Sequence, residues 1–277
     1  VIKVKADGSY SFTADASVLG VVPVHATFTV TDGDSDTVTR DIDFSITDAN
    51  VPTGGSVTAA VDDDGLAGGN AASTAGDLTV TPDPDANEAT FSGTLQHTIG
   101  GDGYGSIGFA SLNGTTGTVG TETVSYSWVG NTLTATGPRG VLFDIVVNPT
   151  TGAYTLTLKD NVLHSAAADE NDATAALTYT VTDADGSEAT GTLTVTFDDD
   201  MPTATSEASQ DVAEGATVTG TLDFVAGADG AGVTHINGTA LTFGGDGYSQ
   251  GVDIGAGVIK VKADGSYSFT ADASVLG

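Results

Sequence analysis

The chain has 277 residues, with 7 Lys and Arg against 37 Asp and Glu, a formal net charge of −30, 38 Gly and no Cys. Such charge repels phosphate backbones and anionic lipid, which sets aside nucleic-acid binding and membrane-surface attachment. The lack of cysteine removes disulfides, thiolate nucleophiles and cysteine-bound zinc together.

No apolar run approaches the roughly 18 residues that a spanning helix requires, so membrane insertion is not expected. No signal-peptide pattern opens the sequence, and the expectation is an interior piece of a longer protein or one exported by another route. Val, Ala, Ile and Leu mixed with abundant Thr and Gly are the composition of strands and turns rather than of disorder.

In chain order, the first element is also the organising one. Val1–Gly20 reads VIKVKADGSYSFTADASVLG and recurs letter for letter at Val258–Gly277. That points to one period of a tandem array, cut at an arbitrary phase. Within it, Asp7-Gly8 predicts a two-residue primed hairpin turn ahead of Tyr10 and Phe12. A strand from Phe28 and another through Ile42-Phe44-Ile46 follow, and the acidic seam Asp48 to Pro52 ends the segment.

Alternating apolar positions then predict strands through Val124-Tyr126-Trp128, Tyr154-Leu156-Leu158, Leu177-Tyr179-Val181 and Leu193-Val195-Phe197, with a Thr151-Gly152 turn among them. A second seam, Asp198 to Pro202, closes this stretch. A fainter similarity relates FTVTDGDSD from Phe28 to YTVTDADGSE from Tyr179, and GTLQHTIGGDG from Gly93 to GTLDFVAGADG from Gly220. Two related domains therefore alternate. Residues 1–50 are the C-terminal part of a split immunoglobulin-like repeat, 51–200 a complete repeat with insertions, and 201–277 the N-terminal part of the next. The fold class is all-β, with tandem immunoglobulin-like antiparallel β-sandwich domains. The split halves should sit at opposite ends, without contact between 22–46 and 218–224.

The acids cluster at Asp32-Gly33-Asp34-Ser35-Asp36, Asp62-Asp63-Asp64, Asp183-Ala184-Asp185 and Asp198-Asp199-Asp200. Adjacent like charges are unfavourable unless a cation is shared, and hard oxygen donors in this density suit Ca2+. Strand direction sorts them, because the first strand (56–61) and the last (192–197) of the whole domain run the same way. An upper site follows from Asp48, Asn50, Asp183 and Asp185, and a lower one from Asp63, Asp64, Asp198, Asp199 and Asp200. The upper site would also take an upstream carboxylate equivalent to Glu214, and the lower one a downstream loop equivalent to Asp32 and Asp34. The plainer reading is that Asp caps turns. An EF-hand at Asp32 is rejected, since its loop lacks the required glycine and flanking helices.

The seams DANVPT and DDDMPT, the VDDDGLAGGN after the first, the VTDADGSEATGTLTVTFDDD ending and the ADGSYSFTADASV hairpin resemble repeats of very large bacterial adhesins. These are RTX-type adhesins exported by type I secretion, with cadherin-like and VCBS-like repeats. The resemblance implies extracellular, non-catalytic, calcium-rigidified stalk modules at the bacterial cell surface, supporting adhesion or biofilm formation. Their partners would be neighbouring repeats, with a host or biofilm surface reached through other domains. Carried over by residue, the linker ligands match Asp48, Asn50, Asp198 and Asp200, and the acid after the first strand matches Asp63 or Asp64, and Glu214. The tandem Gly-Gly-x-Gly-x-Asp roll is absent, and GGDGY at Gly100 and Gly244 reads as a loop.

His25, His97, His164 and His235 show no ligand spacing and read as structural or surface residues. No nucleophile motif appears, and Trp128 reads as core. The alternative function is a ligand- or glycan-binding adhesin module.

Overall fold

The computed structural model describes residues 1–15, 18–70, 88–166 and 171–273. The first segment contains β1 (Ile2–Val4), β2 (Tyr10–Phe12), β3 (Val21–Thr31) and β4 (Thr37–Thr47). They form two separate antiparallel pairs, β1 with β2 and β3 with β4. Phe12 stacks on Phe44 with ring centroids 4.2 Å apart, but Phe28, Val30 and Val38 stay exposed.

The second segment runs through β5 (Thr53–Gly54), β6 (Ser56–Asp62), a 3-10 turn at Asp63–Gly65, β7 (Thr90–Thr94), β8 (His97–Thr98) and β9 (Tyr104–Gly108). It continues with β10 (Thr116–Val119), β11 (Glu122–Val129), β12 (Thr132–Gly137), β13 (Gly140–Val147), β14 (Ala153–Leu158), β15 (Ala173–Asp183) and β16 (Glu188–Asp198). One sheet has the order β10-β11-β12-β13-β14-β7 and the other β6-β16-β15-β9.

Period-2 alternation sends one face of each sheet inward. Leu133, Phe143, Ile145 and Leu156 of the first sheet share a core with Leu177, Tyr179, Val195 and Phe197 of the second. Phe143 meets Phe197 with centroids 5.4 Å apart, and each such buried side chain contributes about 1.5–3 kcal/mol. Trp128 packs against this core, edge-on to Phe109. Tyr179 reaches through to the opposite strands: its hydroxyl lies 2.5 Å from the Gln96 carbonyl and 3.0 Å from that of Gly55, whose N–H donates back to it. The ring leaves no room for a Cβ at Gly191, which would fall 2.2 Å from Tyr179 Cζ.

Among the described residues all pairings are antiparallel except β6 with β16, which run parallel from Ser56 opposite Thr192 to Asp62 opposite Asp198. Both strands therefore arrive at the second seam side by side, as their shared direction required.

The third segment holds β17 (Thr203–Ala204), β18 (Thr217–Thr221), β19 (Phe224–Val225), β20 (His235–Ile236), β21 (Thr239–Ala240), β22 (Val252–Asp253), β23 (Gly257–Val261) and β24 (Ser266–Ala271). Its main sheet has the order β18-β24-β23-β22. Among the described residues no strand of the first segment pairs with one of the third.

The Asp7-Gly8 turn differs from expectation. Lys5 N–H donates to Ser9 O and Gly8 N–H to Lys5 O, and within the loop only Gly8 has positive φ, at 83°. The loop has three residues and ends on a left-handed glycine; the type I′ two-residue turn that Asp-Gly favours would need both central residues there. Gly130-Asn131 and Asn237-Gly238 do meet that requirement, with φ of 57° and 69°, and of 46° and 74°.

Candidate metal centres

At the upper seam, the loop from β15 to β16 is wound around its own acids. Asp183 Oδ1 accepts from Gly186 N at 3.0 Å and Ser187 N at 2.8 Å, and Asp185 Oδ1 lies 3.3 Å from Ser187 N. Ser187 Oγ donates to Asp48 Oδ2 and ties the loop to the linker. Asp48 Oδ1 in turn accepts from Asn50 N, and the Asn50 carbonyl accepts from Gly101 N at 3.3 Å.

Gly100 and Gly101 permit this approach. A Cβ on Gly100, which sits at φ +77°, would fall 1.7 Å from Asn50 O. The same loop delivers Asp102. Asp48, Asp102 and Asp185 each place a carboxylate oxygen within 4.8 Å of the others. Asp102 Oδ2, Asp183 Oδ2 and Asp185 Oδ2 are buried without a hydrogen bond to any described residue. The close approach of the Asp183 carboxyl, then burial, holds the Asp185 carboxyl above the usual range.

The lower seam is built on the parallel pair. Its register sets Asp62 beside Asp198, and the chain then turns at Asp63–Gly65 with Asp62 Oδ1 capping Asp64 N at 3.1 Å. Asp62, Asp64 and Glu88 bring carboxylate oxygens within 4.8 Å of one another. Asp63 is fully buried: Oδ2 accepts from Val162 N at 2.8 Å, while Oδ1 has no hydrogen bond to a described residue. Burial pushes its carboxyl to about 9 against that hydrogen bond, and the neighbouring Asp229, Asp62 and Asp199 add to the rise. Asp198 is pushed to about 8 by burial, then by Asp62 and Asp172.

Asp200 joins both sides of the seam. Its Oδ2 accepts from Asn70 N at 2.9 Å, upstream, and from Ala228 N at 2.7 Å, downstream; Oδ1 is buried without a donor among the described residues. Asp199 groups with Asp229 and His164, again within 4.8 Å. Burial raises the Asp199 and Asp200 carboxyls as well.

The two seams share one plan. Thr53 pairs with Thr98 in β5–β8, and Thr203 with Val225 in β17–β19. Gly101 N donates to the backbone carbonyl of Asn50, and its counterpart Ala228 N donates to the side-chain carboxylate of Asp200. Asp102 and Asp229 hold the same place in the two GTL…GxDG segments, so the repeat from Gly93 and Gly220 was the available signal for them. Glu88, Asp172 and His164 carried no such signal, being brought in by topology from outside the acidic clusters.

Of the residues expected from sequence, Asp48, Asn50, Asp183 and Asp185 meet at the upper seam, and Asp63, Asp64, Asp198, Asp199 and Asp200 at the lower. Glu214 does not join a group of three acids among the described residues. It is exposed on a turn that Gly215 N ties to Asp272 O. Asp32, Asp34 and Asp36 cluster on the exposed β3–β4 turn, where Asp32 Oδ1 caps Asp36 N.

Fold and sites together define an all-β protein with a two-sheet sandwich in its middle segment and acidic seams. The family described as a domain of unknown function (DUF5801) matches residues 58–196, half of the chain, and the chain belongs to that family. No curated protein matches it. Among solved structures, the crystal structure of the Protocadherin GammaB4 extracellular domain aligns with 100% of this chain and 36% of its own, at 14% identity. The TM-score of 0.22 is too low to support an argument, and the chain spans about a third of that relative's length. No helix among the described residues is long and apolar enough to cross a membrane.

Proposed function

We propose that this chain is a non-catalytic, calcium-rigidified extender of a large secreted bacterial adhesin, working outside the cell as part of a stalk. The observation that carries the reading is the set of buried carboxylate oxygens without hydrogen-bond donors at both seams, on Asp63, Asp102, Asp183, Asp185 and Asp200. Burying an ionised carboxylate is unfavourable unless hydrogen bonds or a cation compensate.

The donor set fits calcium, which takes six to eight hard oxygens in flexible geometry. Asp48, Asp102, Asp183 and Asp185 would hold it at the upper seam, with Asn50 fixing the linker. Asp62, Asp64, Glu88, Asp198 and Asp200 would hold it at the lower one. The ion supplies positive charge where only 7 Lys and Arg face 37 acids. Asp200 already links Asn70 on one side to Ala228 on the other, so neutralising this seam stiffens the joint between successive modules. The resemblance of the seams to adhesin repeats supports the same reading.

Calcium titration of the metal-stripped full chain, followed by small-angle scattering, tests it. The expected result is a longer, narrower distribution of dimensions with calcium, reversed by chelator. An unchanged maximum dimension would refute the stiffening.

A further inference from the structure

We propose that the lower seam also holds a mixed nitrogen–oxygen site for a zinc-class divalent cation, formed by Nδ1 of His164 with the carboxylates of Asp199 and Asp229. The three ligand atoms lie within 4.8 Å of one another. The His164 side chain is only 3% exposed, so its ring nitrogens cannot turn to solvent.

The ring's proton is assigned by its neighbours. Nε2 lies 3.1 Å from the Phe197 carbonyl, which can only accept, so Nε2 carries the hydrogen. Nδ1 faces Asp199 Oδ1 at 3.2 Å and Asp63 Oδ2 at 4.0 Å, yet makes no hydrogen bond with any described residue. A lone pair pointed at the Asp199 carboxylate at this distance is repulsive. A proton on Nδ1 would relieve that best through a straight bond to Asp199, and the geometry does not provide one. A cation accepts electron pairs from the ring and the carboxylates together.

The surroundings match what orients metal ligands. A ligating histidine commonly gives its other N–H to a backbone carbonyl, as His164 does to Phe197. Asn161 Nδ2 donates to Asp229 Oδ1, and Val162 N fixes Asp63. Imidazole favours zinc-class ions over calcium, whereas the upper seam's group of Asp48, Asp102 and Asp185 offers only oxygen. His164 and Asp229 come from opposite sides of the linker, so this ion would also bridge the seam. The inference stands apart from the calcium reading, which rests on other donors.

The test uses the metal-stripped full chain in excess calcium, titrated with Zn2+ and with Co2+. One equivalent of Zn2+ should bind despite the calcium, and Co2+ should develop a visible absorption band. His164→Gln should weaken both by tenfold or more while calcium binding stays unchanged. Absence of Zn2+ binding, or a His164→Gln protein that binds Zn2+ as tightly as the parent, would overturn the proposal. Should that variant misfold, nitrogen NMR of the parent decides: a Zn2+-induced shift confined to His164 Nδ1 supports the site, and an unchanged or doubly protonated ring refutes it. Loss of the calcium response alone would leave the zinc result standing.

Discussion

Asp62 and Asp198 are register partners at the end of the parallel β6–β16 pair, so two carboxylates reach the second seam on neighbouring strands. Without a cation their charges oppose folding. Asp198→Asn should therefore raise the melting temperature in chelator and reduce the additional rise that calcium produces. The gain in chelator should be modest, about 1 kcal/mol or ~2–4 °C, because burial already raises the Asp198 carboxyl to about 8 and holds much of it neutral at pH 7. Melting curves with and without calcium check both signs.

The raised carboxyls at Asp63, to about 9, and Asp198, to about 8, make metal-free stability depend on pH. Unfolded, both titrate near 4, so between pH 4 and 9 the folded chain binds more protons than the unfolded one. Stability in chelator should be greatest at the acid end of that window and fall as pH rises through the folded values. Calcium needs the ionised form, so its binding at pH 7 should release protons. Calorimetric titration in buffers of different ionisation enthalpy measures the release, and a buffer-independent heat would contradict it.

Asp102 and Asp32 separate a built site from a turn. Asp102 carries a buried oxygen with no hydrogen bond to a described residue beside Asp48 and Asp185, while Asp32 sits in an exposed group. Asp102→Asn should weaken calcium binding at the upper seam by tenfold or more. Asp32→Asn should leave it unchanged, and equal effects would count against the assignment.

Tyr179 tests the sandwich apart from any metal. Tyr179→Phe removes the hydroxyl shared with Gln96 O, Gly55 O and Gly55 N, at about 1–2 kcal/mol. Gly191→Ala should be worse, since its methyl would overlap the ring. Denaturant midpoints should fall in both variants with calcium affinity retained, because the lesion lies in the core and not at a seam.

Much of the acidic chemistry was readable beforehand because Asp198–Asp200 and Asp62–Asp64 are contiguous and the strands leading to them share a direction. Asp102 and Asp229 were visible as a repeated motif, but not as ligands. Nothing in the sequence places His164 against Asp199, 35 positions away, because that contact depends on how the chain before β15 folds over the ends of β6 and β16.

The identical segments show where local determination stops. Both copies make the same turn: Lys5 N bonds Ser9 O and Lys262 N bonds Ser266 O, with Gly8 at φ 83° and Gly265 at φ 86°. Yet Val4 is 63% exposed, and Val261, its counterpart, is 0% exposed. Turn geometry follows from hydrogen bonds and dihedral preferences within a few residues, so equal sequence yields equal turns. Burial depends on which strands arrive from elsewhere. β23 lies between β24 and β22, whereas among the described residues β1 pairs with β2 alone, and the tertiary structure decides that.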